Sequence, residues 1–370
     1  MVSIRDVAKR AGVSHQTVSN ALNAPDVVSE ATRLRIMKAI EELGYKPNAA
    51  ARRLRSGRSD VLAVGIATGA HRAPSPIFDE FLHLLAARAS KQGRQIMLYP
   101  RTDEASELQY VQSLMEQSDV DAIILNELEV EDHRPQWLLA HQQPFVLFGR
   151  PWQLNPEVAQ RIPWVDIDGK TAISDMVVRL AQEGRSHIGF IGWNTGTGTA
   201  QDRYDGWVAG LRRAGLLAQD AADADIASWA ELTTESMTSG EAAAAALYKR
   251  HADLDAIVCC SDNLAVGALS SINHMVKHDI LANSANLQRL TRPVLVTGFD
   301  DSPLAQAFSF PSIRQPLELV VEHLIAMTDQ VIGTAMRGYY TQSQHLLPAE
   351  VIWRESPYLT AKETELPEQQ

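Results

Sequence analysis

The sequence predicts two architectures in one chain. The first is a small all-α head built on a helix-turn-helix. The second is a larger α/β body of two doubly wound parallel-sheet subdomains. Three observations lead there. Residues 3–44 carry apolar residues at helical spacing between recognisable caps. From Val61 to Phe299, short apolar runs alternate with amphipathic or Ala-rich stretches. The chain is also 370 residues long, too long for a single sheet of that kind.

Composition sets the outer bounds. Apolar residues make up 45% and charged residues 21% of the chain, the balance of an ordinary globular protein. Collagen-like, disordered and disulfide-stapled chains are excluded. No apolar run approaches the ~18–20 residues that span a bilayer, and the opening MVSIRDVAKR lacks the apolar core of a secretory signal. The adjacent Cys259 and Cys260 sit inside an apolar run without metal-ligand spacing, so they read as buried, reduced thiols. The expectation is a cytoplasmic protein with no cofactor and no metal.

The charge is divided. Residues 1–58 hold eleven Lys and Arg against five Asp and Glu, a net +6. The remainder carries −17 of a total of −11. A basic module on an acidic body suggests that the module, not the body, meets a polyanion.

In the head, Ser3 caps a first helix, with Asp6 completing a capping box and Ile4, Val7, Ala8 and Ala11 forming one stripe. Gly12 ends it. Ser14 caps a second helix that turns Val18, Ala21 and Leu22 inward. Asn23-Ala24-Pro25-Asp26 is turn chemistry. Ser29 caps a third helix, with Ile36, Ala39, Ile40 and Leu43 on one face and Gly44 at its end. The first two helices are too short to stand alone, so all three must share one core. Two short helices around a tight turn, braced by a third, make a helix-turn-helix. The second helix presents His15, Gln16, Thr17, Ser19 and Asn20 outward. Gln and Asn can pair bidentately with adenine, and Thr can touch a thymine methyl.

IRDVAKRAGVSHQTVSNALN, followed by VSEATRLRIMKAIEELGYKPNAAARRLRSGRS, closely resembles the LacI/GalR family of bacterial transcription regulators. The resemblance implies that His15, Gln16 and Asn20 read the major groove of an operator; Ser3, Ser14 and Thr17 join them as candidate DNA contacts. Asn20 stands where the family often carries Arg or His, so the preferred half-site departs from the familiar ones. Pro47 opens the segment NAAARRLR, whose Ala run favours helix but whose length makes it marginal in water. By resemblance it is the hinge helix. Ala51 and Leu54 are its candidate DNA contacts, and Leu54 stands where the family inserts a minor-groove wedge. The other reading of Leu54 is packing on the next domain. The expected organisation is a DNA-binding domain over 1–46, hinge and linker over 47–59, an effector-binding and dimerisation domain over 60–355, and a polar tail over 356–370.

Strand candidates in the body are Val61–Ala67, Gln95–Tyr99, Ala122–Leu125, Phe145–Phe148, Trp164–Ile167, His187–Gly192, Ala256–Cys260 and Val294–Phe299. Helical stretches such as Phe78–Gln92, Lys170–Glu183, Arg203–Ala214 and Gly240–Arg250 separate them, which implies parallel sheets covered on both faces. The segments VDIDGKTA, HIGFIG, RYDGWVAGL, CSDNLAVGAL, GFDDSPLA and SIRQPL occur in the family's order. They resemble its periplasmic-binding-protein-like regulatory domain, whose two lobes close on a small effector. In open α/β sheets a ligand sits beyond the carboxyl ends of the strands.

A sugar presents paired hydroxyls; a guanidinium donates to them in a planar fork and a carboxylate accepts from two at once. Arg203 and Asp300 match the family's effector-binding Arg and Asp. Asp262 follows another strand end, where it either contacts ligand or caps the next helix. Its neighbour Ser261 stands where the family often has an amide. Arg150 follows a further strand, and Ser75 lies in the loop after the first. Trp193 or Trp229 could offer a platform to a sugar ring, or simply be core. Asp300-Asp301 lacks further ligands at metal spacing. Gly196-Thr197-Gly198 lacks nucleotide-loop spacing and reads as a flexible pocket loop.

The resemblance implies a sequence-specific, sugar-responsive repressor that binds palindromic double-stranded operator DNA and a sugar or sugar phosphate. Lys277–Arg292 is longer than the family's usual connection. The tail has no leucine heptads, so a homodimer is expected. The fold also permits activation. A sugar-uptake binding protein would need an export signal and no basic head. No Ser–His–Asp order or paired catalytic carboxylates suggest an enzyme.

Overall fold

The computed structural model describes residues 2–23, 25–45, 58–68, 75–117, 120–281, 293–335 and 343–355. The chain divides into two compact units, Met1–Asp60 and Val61–Gln370.

The first unit contains α1 (Ile4–Ala11), α2 (His15–Asn23), a 3-10 turn at Pro25–Val27 and α3 (Glu30–Leu43). The capping box at α1 is formed. Ser3 Oγ accepts from the Asp6 amide at 3.4 Å, and the Asp6 carboxylate accepts from the Ser3 amide at 2.8 Å. Gly12 leaves α1 at φ 67°, a left-handed conformation that favours glycine. Ser14 Oγ accepts from the Thr17 amide at 3.0 Å and so caps α2. Ser29 holds the cap position of α3, but its hydroxyl donates to Thr32 Oγ1 at 3.0 Å and accepts no backbone N–H. The shared core is Val7, Ala8, Ala11, Val18, Ala21, Ile36 and Ala39. The fully buried Val7, Val18 and Ile36 each contribute roughly 1.5–3 kcal/mol.

The second unit starts with a lobe of β1 (Val61–Ala67), α4 (Pro76–Lys91), β2 (Gln95–Arg101), α5 (Glu104–Glu116), β3 (Ala122–Leu125), α6 (Arg134–Ala140), β4 (Phe145–Phe148), α7 (Pro156–Ala159) and β5 (Trp164–Ile167). A second lobe follows. It holds α8 (Gly169–Gln182), β6 (Ile188–Trp193), α9 (Gly198–Arg213), α10 (Asp223–Ser228), β7 (Ala230–Thr233), α11 (Met237–Arg250), β8 (Ala256–Cys259), α12 (Asp262–Leu281), β9 (Leu295–Thr297), α13 (Pro303–Phe308) and β10 (Ser312–Arg314). The chain then returns to the first lobe for α14 (Leu317–Ala335) and β11 (Gln344–Leu347). It ends in the second lobe with β12 (Glu350–Ile352), antiparallel to β10.

The first lobe's sheet has the order β11-β5-β4-β3-β1-β2 and the second's β7-β6-β8-β9; both are parallel throughout. Alternate residues supply two cores in the first lobe. Leu62, Val64, Ile124 and Val146 face α4 and α14, whereas Ala63, Ile123, Phe145 and Leu147 face α5 and α6. The second lobe's core joins Ile188, Phe190, Ile257 and Val258 to Met176 and Val177 of α8, Trp207 of α9 and Leu264 of α12. Among the described residues the chain passes between the lobes at three places: beside Asp168, at Gln315-Pro316 and at Pro348-Ala349. This multiple connection lets two lobes pivot.

All eight anticipated strands are present, with ends shifted by a few residues. β7, β10, β11 and β12 were not anticipated; each is three or four residues long, and most of their residues lie at partly exposed edges. Cys259 and Cys260 are free and buried, and burial pushes both thiols well up. Of the Lys277–Arg292 stretch, residues 282–292 lie outside the described residues, as does the tail. Among the described residues no helix is long and apolar enough to cross a membrane, and no group of three or more His, Cys, Asp or Glu could hold a metal ion.

Candidate functional site

In the head, α2 exposes His15 and Gln16 and half-exposes Thr17 and Asn20. The ridge is internally ordered. Gln16 Nε2 donates to Asn20 Oδ1 at 3.0 Å, and the Ser14 and Thr17 hydroxyls lie 2.8 Å apart. Ser19, expected on this face, is buried instead, because it falls on the α2 turn that meets the core beside Val18. The Ser3 side chain is engaged in its capping box. Ala51 and Leu54 lie outside the described residues.

In the body, the carboxyl ends of β6, β7, β8 and β9 bring together one wall of a cleft. Arg203, from the second turn of α9, is 6% exposed. Its guanidinium lies 3.6 Å from the Phe299 ring centroid and 4.8 Å from that of Trp193, and it donates to the Cys260 carbonyl. Arg203 Nε is buried without a hydrogen-bond partner. Asp300 follows β9 and accepts from Gln315 Nε2 at 2.5 Å. Burial pushes its carboxyl well up; Arg203 opposes this, while Asp262 and Glu235 reinforce it. No ion pair within 4 Å joins Arg203 to Asp300.

The backbone here is strained. Asp300 has φ 124° and Asp301 φ 53°, both rare for residues with a Cβ. Their surroundings fix them. The Asp300 amide donates to the Ile313 carbonyl at 2.8 Å, and the Asp301 amide to Ser312 Oγ at 3.0 Å. The Asp301 carboxylate meets Arg314 at 2.7 Å and Arg354 at 2.5 Å.

Asp262 is placed for positioning. At 1% exposure, its carboxylate accepts from the Ser302 amide and hydroxyl, both at 2.7 Å, and from Ser312 Oγ at 2.6 Å. Burial raises its pKa to about 6 despite these donors. It thus ties β8 to the strained loop that carries Asp300.

Trp193 ends β6 at the same wall, where its Nε1 donates to Glu235 at 2.5 Å. Trp229 is not brought there. It precedes β7 at the amino-terminal end of the sheet, and its carbonyl accepts from the Phe190 amide at 2.9 Å. Its ring stacks on His251 at 3.7 Å. As a platform in the cleft, Trp229 is therefore corrected to a residue of the opposite end.

Arg150, after β4, reaches across the lobes. Its Nε donates to Asp166 of β5 and its Nη2 to Asp202 of α9, each at 2.7 Å. Burial raises both carboxyls, and Arg150 opposes that in each. Its neighbour Trp152 lies under the guanidinium at 4.2 Å and covers Gly198, at the start of α9. The Gly196-Thr197-Gly198 loop, expected to be flexible, is pinned. The Gly196 carbonyl accepts from the Val130 amide at 2.9 Å, and Thr197 bridges to Glu129 of the first lobe.

Ser75 caps α4, its hydroxyl accepting from the Phe78 amide at 3.4 Å. Beneath the first lobe's side of the cleft, buried Arg134 donates to Glu107 and Asp132 at 2.6 Å each, and Tyr99 donates to Glu107 at 2.7 Å. This network fixes the ends of β2 and β3.

Sequence reasoning missed Glu235, Asp202, Trp152 and Phe299. Glu235 accepts from Trp193, from Ser261 Oγ at 2.8 Å and from Asn263 Nδ2 at 2.9 Å. Its only signal was its place just after β7, a strand that was itself not anticipated.

Two family models match the chain: bacterial regulatory proteins of the lacI family over residues 3–48, and periplasmic binding proteins and sugar binding domain of LacI family over residues 70–310. The HTH-type transcriptional regulator CelR of Thermobifida fusca is 30% identical over 331 residues, covering 88% of this chain and 91% of its own. A solved CelR–cellobiose complex superposes with TM-score 0.66 at 25% identity, covering 96% of this chain and 100% of that one. A lac repressor dimer bound to operator and the anti-inducer ONPF superposes with TM-score 0.71 at 22% identity, covering 96% and 98%. A helix-turn-helix with an ordered polar ridge, a two-lobed parallel-sheet body and these matches together place the chain in the lacI family of DNA-binding transcriptional regulators.

Proposed function

We propose that the protein is a homodimeric repressor of carbohydrate-metabolism genes, acting in the cytoplasm, whose hold on a palindromic operator is set by a small sugar in the cleft. The observation that carries the sugar reading is the pairing of Arg203 with Asp300. A buried guanidinium and a carboxylate that feels its charge lie at neighbouring strand ends, and among the described residues neither has an ion-pair partner within 4 Å. A hydroxyl pair between them would accept from the first and donate to the second. The cellobiose held by the related CelR supports the same class.

On the DNA side, His15, Gln16, Thr17 and Asn20 read base edges in one half-site. Two-fold protein symmetry matches the two-fold symmetry of a palindrome. The segment carrying Ala51 and Leu54 acts as a hinge that folds on DNA, with Leu54 as a wedge. Sugar binding shifts the lobes and hence the hinge equilibrium, by no more than its difference in affinity for the two states. The sign of the sugar's effect, release or recruitment, emerges from the same titration.

Fluorescence anisotropy with duplexes from the protein's own promoter region tests this reading. Saturable binding at modest ionic strength that changes when a sugar is added is expected. If no fragment is retained at any salt concentration and no sugar raises the melting temperature of the protein, the proposal falls.

A further inference from the structure

Arg150 of the first lobe holds two carboxylates at once. Its Nε donates to Asp166 and its Nη2 to Asp202, each at 2.7 Å. Asp166 lies on β5, which pairs with β4 in Arg150's own lobe, so this bond survives any movement between the lobes. Asp202 lies on α9 of the other lobe, so the second bond exists only while the lobes are close.

Asp202 joins three parts of the body. The oxygen that accepts from Arg150 also accepts from the Lys170 amide at 3.2 Å. Lys170 stands just past Asp168, where the chain enters the second lobe. The next residue along α9 is Arg203, on the wall of the cleft. Among the described residues Arg150 is the one cation within 4 Å of Asp202. Burial raises the Asp202 carboxyl and Arg150 opposes that rise, so closing the lobes shields the acid and supplies its counter-charge together.

Neutral contacts accompany the pair at the same mouth. Trp152 packs under the Arg150 guanidinium and against Gly198. The Val130 amide of the first lobe donates to the Gly196 carbonyl of the second at 2.9 Å.

We propose that the Arg150–Asp202 pair is a closure latch, a cross-lobe contact that sets how readily the lobes shut and so scales the affinity for every sugar alike. Arg150 is then a positioning residue and not a sugar contact. The sugar arm of the inference rests on the reading above. A residue that touches the ligand changes the affinities of different sugars by different factors. A latch changes only the balance of open and closed states, so one factor applies to all.

Asp202→Asn tests this in the full-length protein, since Asn keeps an acceptor for the Lys170 amide and loses the charge. Calorimetry with cellobiose, glucose and galactose gives the affinities. Hydrogen exchange at the Val130 amide gives the open fraction. A shift toward the open state weakens sugar binding where that state predominates, and speeds Val130 exchange where the closed state does. The two fold-changes multiplied together should therefore reach about fivefold or more. Every sugar that binds should lose affinity by the same factor, and a saturating sugar should restore Val130 protection. Circular dichroism should be unchanged. Arg150→Lys keeps the charge but cannot fork to both carboxylates. It should act in the same direction, and it decides the matter if Asp202→Asn fails to fold.

If neither affinity nor Val130 exchange changes, the latch falls. Unequal losses among the sugars, the mark of direct contact, also overturn it. Silence from every sugar with faster Val130 exchange removes the sugar reading and leaves the latch standing. Silence with unchanged exchange removes both.

Discussion

Trp152 of the first lobe lies against the α-carbon of Gly198 in the second, so closely that a Cβ on Gly198 would come within 2.0–2.2 Å of the indole. Only glycine allows this approach. The contact is at the mouth of the cleft, between the loop after β4 and the start of α9. Replacing Gly198 with Val should force Trp152 off and hold the lobes apart, while leaving both sheets intact. Small-angle scattering should show a larger radius of gyration with unchanged circular dichroism. Sugar affinity should fall by about tenfold or more, as the closed state becomes harder to reach. A sugar titration matching that of the unaltered protein would separate this contact from closure.

Arg150 makes the complementary polar link. It neutralises Asp166 in its own lobe and Asp202 in the other, all three being largely shielded from solvent. Arg150→Ala strands two carboxylates whose burial already raises them. The expected loss is about 2–4 kcal/mol, somewhat below that of fully buried pairs because Arg150 keeps some solvent contact. Asp202→Asn in the same background should recover part of it. Urea unfolding of the two single variants and the double variant gives the coupling. Strict additivity would show that the bridge between the lobes carries no energy.

Asp262 makes stability depend on pH in an unusual direction for a carboxylate. Its native pKa of about 6 lies above the ordinary 3.8. The native state therefore binds more protons than the unfolded chain between those values, and stability falls as pH rises through that window. The difference corresponds to about 3 kcal/mol. Asp262→Asn keeps an oxygen for Ser302 and removes the titration. Chemical denaturation of both forms from about pH 4 to pH 7 should show the variant gaining on the unaltered protein as pH rises. A constant gap would mean that Asp262 does not titrate in this range.

The parts legible in the sequence are those set locally. The capping box of Ser3 and Asp6, the Ser14 cap and the turns at Gly12 and Gly44 depend on neighbours three or four residues away, and each is present. Arg203 and Asp300 could be singled out because the segments RYDGWVAGL and GFDDSPLA resemble those that carry the family's effector-binding Arg and Asp. Glu235 could not. β7 reads AELT and buries none of its residues fully, so no apolar run announced a strand and no strand end pointed to the acid after it. The same hidden strand misplaced Trp229, since a Trp beside an unseen strand can belong to either end. Arg150 was marked by its strand end, but its partners lie 16 and 52 residues away, a pairing that only the folded lobes create.

The Gln16–Asn20 pair makes the last test the most specific to DNA. One turn apart on α2, Gln16 Nε2 donates to Asn20 Oδ1 at 3.0 Å in the free protein. Reading adenine requires each to turn its amide to a base edge, so the pair is a preformed but exchangeable contact. Gln16→Ala should lower affinity for the specific operator by about 1–3 kcal/mol, the worth of one bidentate base contact. It should leave binding to a scrambled duplex unchanged, and leave the salt slope unchanged too, because no phosphate contact is lost. Leu54→Ala should also weaken operator binding selectively, but with a smaller DNA bend, which Gln16→Ala should preserve. Anisotropy across a salt series, with gel mobility of permuted operator fragments for the bend, separates the two. Equal losses on operator and scrambled DNA for Gln16→Ala would mean that α2 only rests on the backbone, and the base-reading role of its polar ridge would have to be given up.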